Sequence, residues 1–285
     1  MMMGKKREAI RNLVIISDTH CGCQFGLCPP GGIDLDGGGH YNPSKSQLWV
    51  WAKWELWWGE CVPRFTKGAP YALVLNGDVL EGRHHDATTQ LSHNLSDHAA
   101  VALACIMPLV DGCEGRLYYV RGTEAHGGRA GEQEEVLAKG LGCVGDGAGR
   151  HSRDELWIRV GGRLVHCLHH IGTTSSAHYR GTALYKELNE SYIESAKWAQ
   201  EAPAAVVRSH RHLHDEIRIS TAEGYGYSIV TPGWQLKTPL AYRVAGGRVT
   251  TPEVGGTVLI AGDEDFYPRH RTWKLPRPKV EAPRV

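Results

Sequence analysis

The stretch LVIISDTH, residues 13–20, joins a short aliphatic run to an aspartate and a histidine two positions apart. The run 13–16 is apolar and bounded by polar residues, which predicts a strand buried on both faces. Alternate residues leaving a strand point the same way, so Asp18 and His20 can reach a single ion. The stretch therefore predicts a strand that delivers two metal-ligand side chains.

Four further apolar runs end in the same manner, and each is predicted as a buried strand. These runs are 71–75, 117–120, 164–168 and 204–207. The residues of ligand type that follow them are Asn76, Asp78, Glu124, His126, His169, His170, His210, His212 and His214. Sites in open α/β sheets form at the carboxyl ends of strands, so we expect these clusters to converge on one crevice.

Longer amphipathic segments separate the strands and predict helices over 42–60, 92–109, 132–139 and 179–200. The first is expected to begin with Asn42 as N-cap and Pro43 in its first turn. Strands alternating with helices indicate an α/β fold. After residue 216 short strands separated by Gly and Pro predict a second, more antiparallel sheet and not an independent domain.

Composition excludes some classes of protein. The 285 residues carry 32 basic and 31 acidic side chains, a balance that disfavours a long nonspecific nucleic-acid footprint. It does not exclude one, because a metal cluster can supply positive charge locally. No apolar stretch approaches the roughly 18 residues of a membrane helix, and the run 13–16 is too short for a signal peptide. We therefore expect a cytoplasmic protein without a membrane partner, its eight cysteines free thiols.

Two segments differ from the rest in composition. Residues 21–42 are rich in glycine and predict a long loop after the first strand, and such loops are usually functional. Within it, Cys21, Cys23 and Cys28 lack the paired C-x2-C spacing of a structural zinc site. Residues 268–285 are basic and rich in proline, which predicts a surface-hugging or disordered tail, with a partner-binding segment as the alternative.

The ordered set of motifs resembles the calcineurin-like metallophosphoesterases, whose pattern is D-x-H, G-D, G-N-H, a lone His and G-H-x-H. The matching residues are Asp18-Thr19-His20, Gly77-Asp78, His169 or His170, and Ser209-His210-Arg211-His212, with Ser in place of the last Gly. The resemblance spans residues 13 to about 214. It looks especially like the phage and prophage members, which share a Gly-rich insertion after D-x-H; localisation would then be the host cytoplasm.

This resemblance implies a β-sandwich of two mixed sheets flanked by helices, in αββα layers, forming a single domain over residues 1–285. It implies a dinuclear metal centre that hydrolyses a phosphate ester, with a phosphodiester favoured, through a two-metal-activated hydroxide. Asp18, His20, Asp78 and His212 would hold one ion. Asp78 would bridge to a second ion, held also by His210 and His169 or His170. Mn2+ is expected, with Zn2+, Fe or Ni2+ as alternatives.

The sequence departs from the family pattern at one block. The family's G-N-H is replaced by residues 122–126, Gly-Thr-Glu-Ala-His, which place Thr123 where the family has its Asn ligand. Either Glu124 supplies the missing ligand or fewer protein groups hold the second ion. His126 is the candidate catalytic histidine, with a structural role as the alternative. Glu124 is expected to point away from Thr123 if the backbone there is extended.

Three residues after the second motif are candidates for substrate binding. Arg83, His84 and His85 lie close enough in sequence to Asp78 to touch a substrate phosphate, the alternative being a solvated loop. The tryptophans within 49–58 have the spacing of a core-facing helix, which is favoured over base stacking. The expected partner is a phosphate ester, with nucleotide or nucleic acid included. Two alternative functions remain: a DNA nuclease resembling the recombination-repair members, and a catalytically impaired binding module.

Overall fold

The computed structural model describes residues 9–84, 86–128, 130–172, 177–244 and 251–275. The strands are β1 (Asn12–Ile16), β2 (Ile33–Asp34), β3 (His40–Tyr41), β4 (Ala72–Asn76), β5 (Leu117–Val120), β6 (Ser152–Arg153), β7 (Glu155–Val160), β8 (Arg163–Leu168), β9 (Ala205–Arg208), β10 (Asp215–Thr221), β11 (Gly224–Val230), β12 (Glu253–Ala261) and β13 (Phe266–Lys274). The helices are α1 (Lys45–Leu56), α2 (Val62–Thr66), α3 (Leu95–Val110), α4 (Glu124–Gly127), α5 (Glu132–Gly140), α6 (Arg180–Lys197) and α7 (Pro239–Val244). A π-helical turn (Trp57–Cys61) joins α1 to α2.

Two mixed sheets carry the fold. The first has the order β13-β12-β1-β4-β5-β6, and the second has the order β10-β11-β9-β8-β7. In the first sheet β1, β4 and β5 are parallel neighbours, while β12 pairs with β1 in the antiparallel sense. In the second sheet β9 is parallel to both β8 and β11. The loops at the carboxyl ends of these parallel strands contain the candidate metal ligands.

The alternation of side chains along β1 explains the layers. Leu13 and Ile15 pack in the core between the two sheets, whereas Val14 and Ile16 pack against the helices on the other face of the first sheet. Helix α6 contributes Leu184 to a smaller cluster on the outer face of the second sheet. The layers are helix, sheet, sheet and helix, so the predicted sandwich of two mixed sheets flanked by helices is confirmed.

Two local predictions are corrected. Helix α1 is capped by Ser44 and not by Asn42, because Ser44 and Gln47 form a reciprocal capping box. The predicted tail from residue 268 is wrong as far as 274, because β13 pairs with β12 throughout. Pro268 is accommodated because β13 is the edge strand, where a missing N–H breaks no ladder on its outer side. Residues 276–285 lie outside the described part of the chain.

After residue 216 the predicted antiparallel pairing is confirmed by β10 with β11 and by β12 with β13, but the predicted second sheet of this region alone is wrong. Strands β10 and β11 extend the second sheet, whereas β12 and β13 return to the first, so this part of the chain is divided between both sheets. The tryptophan prediction is supported: Trp54 and Trp57 are buried in the core. All eight cysteines are free and buried. In the described residues we find no helix long and apolar enough to cross a membrane.

Candidate metal centre

The loops after β1, β4, β5, β8 and β9 meet at one end of the sandwich, as the sequence predicted. Together they bring Asp18, His20, Asp78, His126, His169, His210 and His212 to one place. Residues from different loops face each other at 3–4 Å although as many as 194 positions separate them in the chain. Most of this cluster is buried, and a cavity of about 120 Å3 opens onto it.

The first group of candidate ligands is Asp18, His20 and His212. The Nε2 of His212 lies 3.3 Å from the Asp18 Oδ1 and 3.2 Å from the Nε2 of His20. One ligand atom from each residue therefore lies within 4.8 Å of the others, close enough for a shared ion. One carboxylate and two imidazoles form a donor set that suits a divalent transition metal.

The second group is Asp78, His169 and His210. Asp78 Oδ2 lies 3.0 Å from the Nε2 of His169 and 3.9 Å from the Nδ1 of His210. The two groups adjoin, because the Nε2 of His169 is also 4.0 Å from the Asp18 Oδ1. Asp78 is 1% exposed at its side chain and lies at the centre of this second group.

Of the neighbouring pair His169 and His170, the structure places only the first in a ligand group. His169 is 2% exposed, and its Nδ1 donates a hydrogen bond to the Asn76 carbonyl oxygen at 2.7 Å. His170 is exposed; its ring centroid is 4.8 Å from that of His210, and it belongs to neither group. Successive residues leaving β8 point to opposite sides, so only one of the two can face the cluster.

Hydrogen bonding indicates that a cation belongs between these groups. The carbonyl of Asn76 can only accept, so the Nδ1 of His169 carries a proton and its Nε2 is the ring atom that can bind an ion. That nitrogen lies 3.0 Å from a carboxylate oxygen of Asp78, a spacing that requires either a proton or a metal cation between the two atoms. The buried Asp18 Oδ1 and His169 Nε2 also have no hydrogen-bond partner. Unpaired buried polar atoms are costly, and a divalent ion would satisfy both, so the donor set fits a metal.

The backbone of the ligand loops is unusual. Asp18, His20, Asp78, His210 and His212 all have positive φ, between 42° and 70°. This region costs a non-glycine residue on the order of 1–3 kcal/mol each and is concentrated at functional sites. The extended geometry expected for the D-x-H spacing is therefore wrong: left-handed turns, and not strand alternation, direct Asp18 and His20 to the same point.

The buried carboxylates and histidines of the cluster shift one another's pKa values. Burial opposes ionisation of Asp18, yet the nearby His212 and His169 lower its pKa to about 2. The pKa of Asp78 is held well below its ordinary value by His169 and His126, again against burial. Burial would lower the pKa of His169, but Asp78 and Asp18 raise it to about 10. The two buried carboxylates thus remain ionised, and a carboxylate held in this form can bind a cation.

The sequence reading missed Glu81, a buried carboxylate three residues after Asp78. Its Oε2 accepts hydrogen bonds from His20 Nδ1 at 2.9 Å and Gln235 Nε2 at 3.1 Å, and its Oε1 pairs with His84 Nε2 at 3.0 Å. The pKa of Glu81 is lowered, against its burial, by these histidines. Glu81 fixes the His20 ring with its Nε2 towards the cluster. The only sequence signal is a charged residue directly after the apolar pair 79–80.

At the block that departs from the family pattern, Thr123 binds Asp78. The Thr123 N–H donates to Asp78 Oδ1 at 2.7 Å, and its hydroxyl lies 3.2 Å from the same oxygen. Glu124 is exposed, begins the short helix α4 and belongs to neither ligand group. Of the two alternatives for the second ion, the structure supports three protein ligands without Glu124.

His126 lies in the cavity beside both ligand groups. Its Nδ1 donates to the Glu81 carbonyl oxygen at 2.5 Å, so its Nε2 is left free, 3.9 Å from Asp78 Oδ2. Its ring centroid is 4.5 Å from that of His20. Burial lowers the pKa of His126 to about 4, although Asp78 acts in the other direction. The free Nε2 of His126 therefore faces the cavity beside both ligand groups.

The candidate substrate residues surround an outer groove. Arg83 is exposed, His84 is partly buried against Glu81, and His85 lies outside the described residues. A groove of about 470 Å3 runs beside His126 and is lined by Arg83, His84, Glu124 and Glu132. A larger cavity of about 890 Å3 lies at the opposite end of the sandwich, near the start of β8 and β9. It contains none of the candidate ligands, so cavity volume does not identify the candidate metal centre in this protein.

Comparison with known proteins adds only a weak structural likeness. No family model and no curated protein match the chain. Protein TM1076 from Thermotoga maritima, solved by NMR, is 11% identical with a TM-score of 0.39, covering 93% of this chain and 100% of that one. Vacuolar Protein Sorting 29 from Cryptosporidium parvum is 8% identical, with a TM-score of 0.38 and coverage of 94% and 100%. A Vps29 double mutant from Entamoeba histolytica is 10% identical, with a TM-score of 0.36 and coverage of 92% and 99%. Such values support no statement about family or activity.

Proposed function

We propose that this protein is a metal-dependent phosphoesterase that hydrolyses a phosphodiester at a two-metal centre. The observation that carries the proposal is the pair of adjoining ligand groups, with Asp78 Oδ2 3.0 Å from one imidazole and His126 at the same cavity. Two groups of carboxylate and histidine side by side are what a dinuclear hydrolytic site requires.

The chain offers defined ligands for each ion. Asp18, His20 and His212 would hold the first, and Asp78, His169 and His210 the second. Divalent ions bound there supply Lewis acidity, which activates water and offsets the charge of a phosphate. Mn2+ is the ion we propose first, with Zn2+, Fe or Ni2+ as alternatives for this mixed donor set.

His126 is the residue we propose for proton transfer. Its Nδ1 is committed to the Glu81 carbonyl, so proton exchange takes place at Nε2 alone. That nitrogen faces the cavity beside Asp78, within reach of a leaving oxygen. Glu81 holds the ring in place through its backbone and holds His20 through its carboxylate, so one residue positions both.

The outer groove favours a small diester over a nucleic acid. Among the described residues that line it, Arg83 is the one arginine or lysine, and the acidic Glu124 and Glu132 line the same groove. Carboxylates repel the successive phosphates of a nucleic-acid strand, whereas one Arg and His84 suffice for a single phosphate. A DNA nuclease is therefore the second choice within the hydrolase class.

The test is turnover of a generic aryl phosphodiester with added Mn2+. We expect activity in the wild type and a loss of several orders of magnitude in Asp78→Asn, which keeps the size of the side chain but removes its charge. The matched control is Asp263→Asn, the same change at a 91% exposed site. Wild-type protein without turnover of mono- or diesters, or Asp78→Asn with near wild-type rates, would contradict the proposal.

One observation favours a second candidate, a binding module on the same fold. Thr123, and not a ligand side chain, occupies the position next to Asp78, which leaves the second group with three protein ligands. A binding module would bind metal in the wild type and lose it in Asp18→Asn, yet show no turnover of any substrate in the panel.

A further inference from the structure

A separate cluster of ligand-type residues lies outside the centre described above, which also contains the group of His20, Glu81 and His126. His214, Glu216 and His270 each offer one ligand atom, and these atoms lie within 4.8 Å of one another. The Nε2 of His214 is 3.8 Å from Glu216 Oε2, and the rings of His214 and His270 are stacked with centroids 3.6 Å apart. We propose that this cluster is a separate zinc site. The inference does not depend on the proposed phosphoesterase activity.

The cluster joins the edges of the two sheets. His214 directly precedes β10 and Glu216 is its second residue, so the two are two positions apart and face the same side of the chain. His270 lies on β13, the edge strand of the other sheet. An ion held by all three would link β10 to β13, which belong to different sheets and share no backbone pairing.

An unsatisfied polar atom indicates that a ligand can be bound here. The side chain of His214 is only 10% exposed, and its Nδ1 is buried without a hydrogen-bond partner. Leaving such an atom unpaired costs about 1–3 kcal/mol, which a ligand can recover. Two imidazoles and one carboxylate, with water in a fourth position, are a donor set that zinc prefers.

Zinc would have to separate the two stacked rings. Tetrahedral bonds of about 2.0–2.1 Å to two imidazoles place their ring centroids about 5 Å apart, compared with the 3.6 Å observed. His270 is exposed on an edge strand and can rotate outwards without disturbing the core. Binding should therefore be visible as a change in the environment of both rings.

The site also has a direct connection to the ligand loop of the first centre. Glu253 receives a hydrogen bond from the His214 N–H at 3.1 Å, and its own N–H donates to the carbonyl of His212 at 2.8 Å. An ion at His214 thus fixes the segment that delivers His210 and His212. We infer that it steadies that loop and does not take part in chemistry.

The test separates the two centres by mutation and measures zinc bound per chain after dialysis. In a background where Asp18→Asn and Asp78→Asn disable the main centre, we expect about one Zn2+ to remain and the melting temperature to rise with added Zn2+. Adding His270→Ala or Glu216→Gln should remove both effects. His40→Ala, at an exposed hairpin, is the histidine control and should leave them unchanged.

Co2+ provides an independent readout, because tetrahedral Co2+ absorbs strongly in the visible range and octahedral Co2+ does not. The disabled background should show this absorption, and its His270→Ala form should lose it. Background protein that retains no Zn2+ and gains no thermal stability, or a His270→Ala form that binds as much as its parent, would show that the rings form only a neutral stack. Circular dichroism checks that each variant is folded.

Discussion

Glu81→Gln tests how the centre is held together. The carboxylate accepts from three donors: His20 Nδ1, His84 Nε2 and Gln235 Nε2. Glutamine has nearly the same shape but offers one acceptor oxygen and an amide that only donates. In the variant at least one of the three buried donors therefore faces the glutamine NH2 group and has no acceptor.

The magnitude follows from two contributions. An unpaired buried donor costs about 1–3 kcal/mol, so the melting temperature should fall. The loss of a carboxylate behind a metal-ligating histidine typically lowers metal affinity or activity by about 10–100-fold. Because Glu81 contacts His20 and not the second ligand group, we expect the first ion to be weakened most.

The assay is metal titration by calorimetry, with phosphodiester turnover measured at saturating Mn2+. Glu155→Gln is the matched control, because Glu155 also accepts from a histidine, His166 at 3.0 Å, but lies on β7 outside the cluster. Its variant should keep the affinity for metal. Wild-type affinity and rate in Glu81→Gln would refute the view that this carboxylate positions His20.

His126→Ala should keep the metal content and lose rate, more for alkyl than for nitrophenyl leaving groups, since an alkoxide needs a proton. The donor is the imidazolium form of His126, which its lowered pKa of about 4 favours only in acid, so the difference should grow as the pH falls; equal losses on both leaving groups would contradict this role. Glu124→Gln should leave metal stoichiometry unchanged by elemental analysis, because that side chain is exposed and outside both ligand groups. Burial would raise the pKa of Glu135, but hydrogen bonds from the N–H groups of residues 151–152 lower it to about 2. Its stabilising contribution is thus complete above about pH 4.5 and lost as the pH falls through 2; urea unfolding of Glu135→Gln should show a shallower loss of stability over that window. Ser44→Ala should lower the free energy of unfolding by about 1 kcal/mol in urea titration, because it removes the α1 cap.

Local pattern was enough to predict five of the described strands and the α/β class, whereas the sandwich of two sheets came from the family resemblance. The runs at 13–16 and 117–120 lie within β1 and β5. A strand buried on both faces consists of a short aliphatic run, and such a run can be recognised in the sequence without knowing its neighbours in space. The sequence also predicted which loops meet, since the carboxyl ends of parallel strands share one edge. The order of the motifs in the sequence identified the residues that the structure brings together, but their role as metal ligands stays a prediction.

Only the tertiary structure decided the details of the site. The carboxylate of Glu81 accepts a hydrogen bond from Gln235, a residue 154 positions away in the sequence. The choice of His169 over His170 depends on which side of β8 faces Asp78. The cluster of His214 with His270 exists because two sheet edges come together. The physical reason is the same in each case: hydrogen bonding and burial depend on neighbours in space, and a linear pattern records only neighbours in the chain.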